Sequence, residues 1–163
     1  MIFPFFTAVA VGEWGKTRAD DNFEVIAAQG SSLFQWAALR YAAIFGMSGV
    51  FAVLCMAVSS VIRYELPLWE LLMMYVSPAF FLSSLCALVG ILCSQEHVGT
   101  LVCGILWLAF LLTRGLLRVP GVEYIYLFIR YAGDKNHIWL WNKGILAGAG
   151  LVCWGVIYRV CKR

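Results

Sequence analysis

The sequence predicts an all-α protein, a polytopic membrane helix bundle, and composition and patterning carry that prediction. Hydrophobic residues make up 63% of the 163 residues and charged residues only 13%. Soluble domains hold about 45–50% and about 25%, so this chain has too little polar surface to cover a water-soluble fold. The apolar residues also gather into long runs free of charge, each close to the ~20 residues that a spanning helix needs. Four such runs fit one transmembrane domain over residues 1–163, with spanning helices at 36–62, 67–93, 98–117 and 139–160.

The first two spans contain uncharged stretches at 41–62 and 71–93. In the second, Ser77–Pro78 predicts a kink, because proline removes one ladder bond and the serine can satisfy the freed carbonyl. The third is uncharged over 99–113 and continues through Leu116 and Leu117, past Arg114, whose long side chain can reach the headgroups. The fourth is uncharged over 144–158. Trp139 and Trp141 extend it into the interfacial zone, and with Lys143 and Arg159 they form a set of interfacial anchors.

The remaining segments differ in character. Residues 1–12 form an apolar stub of about half the core thickness at ~1.5 Å per residue. It is either a re-entrant or interfacial piece, or the last half of a longer helix. It lacks the basic start and cleavage pattern of a signal peptide. Residues 13–35 are polar and mixed in charge, and Asp20, Asp21 or Asn22 suits the cap of a short helix that Gly30 stops. Residues 118–138 hold Tyr124, Tyr126, Phe128 and Tyr131, whose rings suit the headgroup level. The expected form is an interfacial helix or shallow hairpin.

Charge excludes some functions and leaves orientation open. Net charge is +3, from 12 basic and 9 acidic residues, with no basic run, so nucleic acid has no electrostatic footprint. Basic residues divide evenly between the two sides, a tie under the positive-inside rule. The six cysteines form no Cys-x-x-Cys pair and suit small apolar packing.

Catalysis inside a membrane needs ionisable groups at depth, and the span centres carry none. Glu96–His97 is the sole place where an acidic residue adjoins a histidine. It lies in a short turn without a second histidine at metal spacing, so a solvated turn is expected. Ser59, Ser60, Ser77, Ser83 and Ser84 have no base beside them in sequence and are expected to bond helix to helix. An enzyme is not expected, nor a metal or cofactor in this chain. Gly144-x-x-x-Gly148, with Gly150 and Gly155, offers a smooth helix face for packing within the chain or against a partner.

The order of parts resembles the ABC-2-type transporter permeases, the membrane subunits of ABC exporters. Asp21-Asn22-Phe23-Glu24-Val25-Ile26, the turn Gly30-Ser31-Ser32 and the sequence Phe34-Gln35-Trp36 to Arg40 resemble the loop before that family's third helix. Trp139 to Lys143, the Gly-rich span and the tail Lys162–Arg163 resemble its last helix. The resemblance implies that the four spans are the family's third to sixth helices, with the first helix and most of the second lacking. Residues 13–35 become the cytoplasmic coupling segment, 118–138 the external hairpin, and the C-terminus lies in the cytoplasm of a multi-pass cell-membrane protein.

In that reading Phe23, Glu24, Val25 and Ile26 meet an ABC ATPase subunit, which holds ATP and Mg. This chain has no Gly-x-x-x-x-Gly-Lys-Ser/Thr loop of its own. A second membrane subunit, identical or different, completes the route through the lipid bilayer. Closure of the ATPase rocks packed helices between two arrangements, and apolar spans suit a hydrophobic or amphipathic cargo, such as a peptide or lipid-like compound. The competing expectation is a non-transporting assembly or immunity-type protein that binds other membrane chains.

Overall fold

The computed structural model describes residues 2–15, 32–62, 68–93, 97–113, 122–127, 129 and 136–162. These form α1 (Ile2–Trp14), α2 (Leu33–Ile62), α3 (Leu68–Leu92), α4 (Val98–Leu112), a 3-10 turn (Val122–Tyr124) and α5 (Asn136–Lys162). No strand occurs among the described residues. Three helices are long and apolar enough to cross a membrane. With 30, 25 and 27 residues, α2, α3 and α5 reach about 37–45 Å, beyond the ~30 Å hydrocarbon core. The molecule is therefore a helical, multi-pass membrane protein.

Residue pairing sets the directions. Thr7 meets Tyr75 while Gly12 lies against Cys86, so α1 and α3 run together. Ser77 meets Lys143, and Gly150 lies against Phe80 and Ser84, so α5 follows them. Tyr41 meets Ser83, and Cys103 meets Leu82, so α2 and α4 run the opposite way. One end of the bundle, the basal end, therefore gathers Gly15, Ser32, Cys93, His97 and Lys162. The other, the loop end, gathers the start of α3 and α5 and the Val122–Leu127 region.

α3 is the axis. Half of its apolar stretch is buried, against 22% for those of α2 and α5, and so it is apolar on every face. The helix continues unbroken through Pro78. Tyr41, 8% exposed, fastens α2 to α3 through its hydroxyl, 2.8 Å from Ser83 and 3.3 Å from Ser84. Ser59 and Ser60 instead bond the carbonyls of Cys55 and Ala57 in their own helix, which corrects the helix-to-helix role expected of them. Ser77 does bond helix to helix, donating to the Lys143 carbonyl of α5 at 2.8 Å, so its hydroxyl is not given to a carbonyl that Pro78 frees in α3.

The apolar stub is an interior element. α1 buries Pro4, Thr7, Ala8, Ala10 and Val11, and Phe5 stacks on Trp107 of α4 at 4.7 Å. Small side chains let α1 sit close to three neighbours, where van der Waals packing supplies the attraction that water supplies in soluble proteins. An interfacial placement for 1–12 is thereby corrected. The third expected span, 98–117, is represented by α4 with 15 residues, about 22 Å and short of the core. Residues 114–117 lie outside the described residues, and the structure contributes three long helices and two shorter ones.

The Gly144–Gly148 face is not used inside the chain. A Cβ built on either glycine meets nothing within 4 Å, because that side of α5 faces outward. The close approach occurs instead at Gly150, where a Cβ would stand 2.6 Å from the Phe80 ring. Gly144→Leu with Gly148→Leu is expected to leave stability of the isolated chain within about 0.5 kcal/mol of the parent. Detergent unfolding followed by circular dichroism measures it.

Candidate functional site

Two places in the bundle bring polar or chemically distinctive groups together, one at each end. At the basal end, Glu13 closes the last turn of α1 and His97 stands at the N-terminus of α4. Glu13 Oε1 is 2.9 Å from His97 Nδ1 and accepts from the Thr100 hydroxyl at 3.2 Å. His97 has φ 65°, a left-handed backbone that few residues other than glycine, asparagine, aspartate and histidine adopt readily. This conformation reverses the chain into α4.

The contact is partly solvated, with His97 60% and Glu13 33% exposed, so its energy is small. Its value is positional. Directly beneath it, Gly12 of α1 and Gly99 of α4 both lie against Cys86 of α3. A Cβ on Gly99 would be 2.8 Å from the Cys86 carbonyl oxygen, and one on Gly12 would be 2.9 Å from the Cys86 sulfur. α3 and α4 thus approach backbone to backbone at Gly99, while α1 packs at Gly12 against the Cys86 and Thr100 side chains, within a turn of its end.

That clasp was invisible in the sequence. Glu96–His97 read as a solvated turn, and nothing in local spacing joins His97 to an acid near the start of the chain. The coupling residues Phe23, Glu24, Val25 and Ile26 lie outside the described residues, as does Glu96.

At the loop end, a cleft of about 210 Å³ opens between α1, α2 and α3, lined by Phe3, Pro4, Met56, Ser59, Leu71, Met74, Tyr75 and Ile129. Its hydroxyls are already engaged. Ser59 donates to the Cys55 carbonyl, Thr7 donates to the Phe3 carbonyl at 3.1 Å, and the Thr7 and Tyr75 hydroxyls lie 2.8 Å apart. The cleft therefore presents apolar surface, with adaptable methionines in its wall.

Beside it, α5 turns a stripe of residues inward: Trp139, Asn142, Lys143, Leu146, Gly150, Cys153 and Ile157 are all buried. Trp139 and Lys143, expected as interfacial anchors, are 5% and 6% exposed. Both lie on the core face of the helix, and that placement corrects the expectation. Trp141, 66% exposed, and Arg159, also exposed, do point outward. The signal was present as 3–4 residue spacing along α5, but the dense Trp-x-Trp-Asn-Lys cluster read as a belt.

Asn142 is fully buried. Its side-chain nitrogen donates to the Tyr124 and Tyr126 carbonyls, each at 2.9 Å. Tyr126 is 2% exposed and Leu127 0%, and the Tyr126 hydroxyl donates to the Phe110 carbonyl near the end of α4. The described part of 118–138 is therefore fastened onto the bundle end through Tyr126 and Leu127, with Tyr124 and Ile125 exposed; Phe128 and Tyr131 lie outside the described residues.

Among the described residues, no group of three or more His, Cys, Asp or Glu could hold a metal ion. No known family model matches the chain, and neither a curated protein nor a solved structure matches it.

Proposed function

We propose that this chain is the membrane-spanning permease subunit of an ATP-driven ABC exporter, carrying a hydrophobic or amphipathic cargo such as a peptide or lipid-like compound. The observation that carries this reading is the Glu13–His97–Thr100 clasp above the Gly12–Cys86–Gly99 convergence. A push on the 16–31 segment would reach α4 through the clasp and through the Thr100 side chain against Gly12, and from α4 it would reach α3 through the backbone approach at Gly99. The apolar cleft at the far end suits the cargo class. In this reading a separate ABC ATPase holds ATP and Mg, a second membrane subunit completes the route, and the C-terminus is cytoplasmic. The outward Gly144–Gly148 face also favours a second reading, an assembly or immunity-type protein that binds another membrane chain.

Two variants test the transport reading. Phe23→Ala with Glu24→Lys is expected to lower affinity for the ATPase by about thirtyfold, the scale of losing an anchoring aromatic. Glu13→Ala is expected to leave ATPase binding intact and to lower export per ATP hydrolysed. Pull-down, hydrolysis and export are measured on the same membranes. A chain that purifies from its native membrane with no nucleotide-hydrolysing partner overturns the transport reading in favour of the assembly protein.

A further inference from the structure

Lys143 is the residue whose placement neither packing nor the transport reading accounts for. A lysine near the end of a crossing helix ordinarily runs its stem outward and sets its ammonium among the headgroups. Here the side chain turns inward, 6% exposed, and its Nζ is sealed from solvent without a hydrogen-bond partner among the described residues. A buried ammonium is costly unless an anion meets it. The polar neighbours among the described residues do not supply one. Ser77 is committed to the Lys143 carbonyl, and the Asn142 nitrogen to two loop carbonyls.

Depth indicates which anion is at hand. α5 has 27 residues, about 40 Å, so it overhangs a ~30 Å core by about 10 Å. Lys143 lies two turns in from Asn136, about 10 Å along the axis. Arg159 marks the opposite boundary, 16 residues or about 24 Å away, so Lys143 stands within a turn of the headgroup level, where Trp141 faces outward as an interfacial ring does. Lipid phosphates are the anions of that layer, and basic pockets between membrane helices bind such groups.

We propose that Lys143 is the receptor for the phosphate of an anionic membrane lipid, held between α3 and α5 at the loop end. The headgroup enters by parting the side chains that cover Nζ. The acyl chains stay outside, against the exposed apolar surface of α5 that includes Leu140, Leu151 and Val152. The inference does not depend on transport and stands or falls separately from it.

The test uses the full chain in nanodiscs of equal phosphatidylglycerol and phosphatidylcholine, with retained lipid counted by native mass spectrometry after partial delipidation. The parent is expected to retain phosphatidylglycerol over phosphatidylcholine by about fivefold. Lys143→Met, which keeps the length and removes the charge, is expected to bring that ratio to one, and Lys143→Arg to preserve it. Circular dichroism establishes that the Met variant is folded; if it is not, Lys143→Gln takes its place. Equal retention in parent and Met variant overturns the proposal. So does a parent without lipid preference whose thermal midpoint rises with inorganic phosphate in phosphatidylcholine discs, since the ligand is then the free ion.

Discussion

Gly99→Ala is expected to destabilise the bundle by about 2–3 kcal/mol, the upper range for overpacking by a single methyl. The added Cβ would stand 2.8 Å from the Cys86 carbonyl oxygen and 3.5 Å from the Gly90 nitrogen. Both belong to the α3 backbone, which has no rotamer to change. Relief therefore requires α4 to move away from α3, and the Glu13–His97 contact opens with it. Gly12→Ala is the informative comparison, because its nearest neighbours are the Thr100 hydroxyl and the Cys86 sulfur. Those atoms can rotate away, so a cost of about 1 kcal/mol is expected. Denaturant titration in detergent, read by circular dichroism, ranks the two. An order of Gly12 above Gly99 would mean that the basal contact is not set by backbone approach.

Asn142→Asp is expected to be worse still for the loop end. The amide nitrogen gives two donors to the Tyr124 and Tyr126 carbonyls, and a carboxylate of the same shape gives none and faces both oxygens. Asn142→Leu removes the donors without adding a charge, and the two carbonyls lose their partner at a cost of about 2–3 kcal/mol in total. Aspartate should exceed that by the cost of a buried, repelled charge. Unfolding in detergent gives the energies, and protease cleavage near Tyr124 reports release of the turn. If leucine and aspartate match the parent, Asn142 does not hold this segment.

The long helices were legible because a membrane span is a composition signal. Runs such as 41–62 and 71–93 need no knowledge of neighbours to be read. Much of the interior was not legible, for one physical reason. In a chain apolar on all sides, hydrophobicity no longer marks the buried face, so an inward Trp139 and an outward Trp141 look alike. Only the polar members of the α5 stripe, Asn142 and Lys143, could have marked its inner side. Glu13 and His97 meet through the tertiary path of α1 and α4, which local pattern does not encode. The stub 1–12 was visible as apolar, but its place among α2, α3 and α4 follows from small residues such as Ala8 and Ala10, and smallness is a weak signal.

Pro78 has a mechanical consequence. Its ring removes the ladder bond to the Met74 carbonyl, and Ser77 spends its hydroxyl on α5, leaving that bond without a substitute from the adjacent serine. The elastic compliance of α3 is therefore concentrated at one level, while the stretch below it is stiffened by Tyr41, Gly150 and the Cys86 contacts. Above it lie Leu71, Met74 and Tyr75, which form one wall of the apolar cleft. Under the proposed transport reading, a load applied at the basal end would be carried up a stiff shaft to a softer tip and released as lateral displacement of the cleft wall.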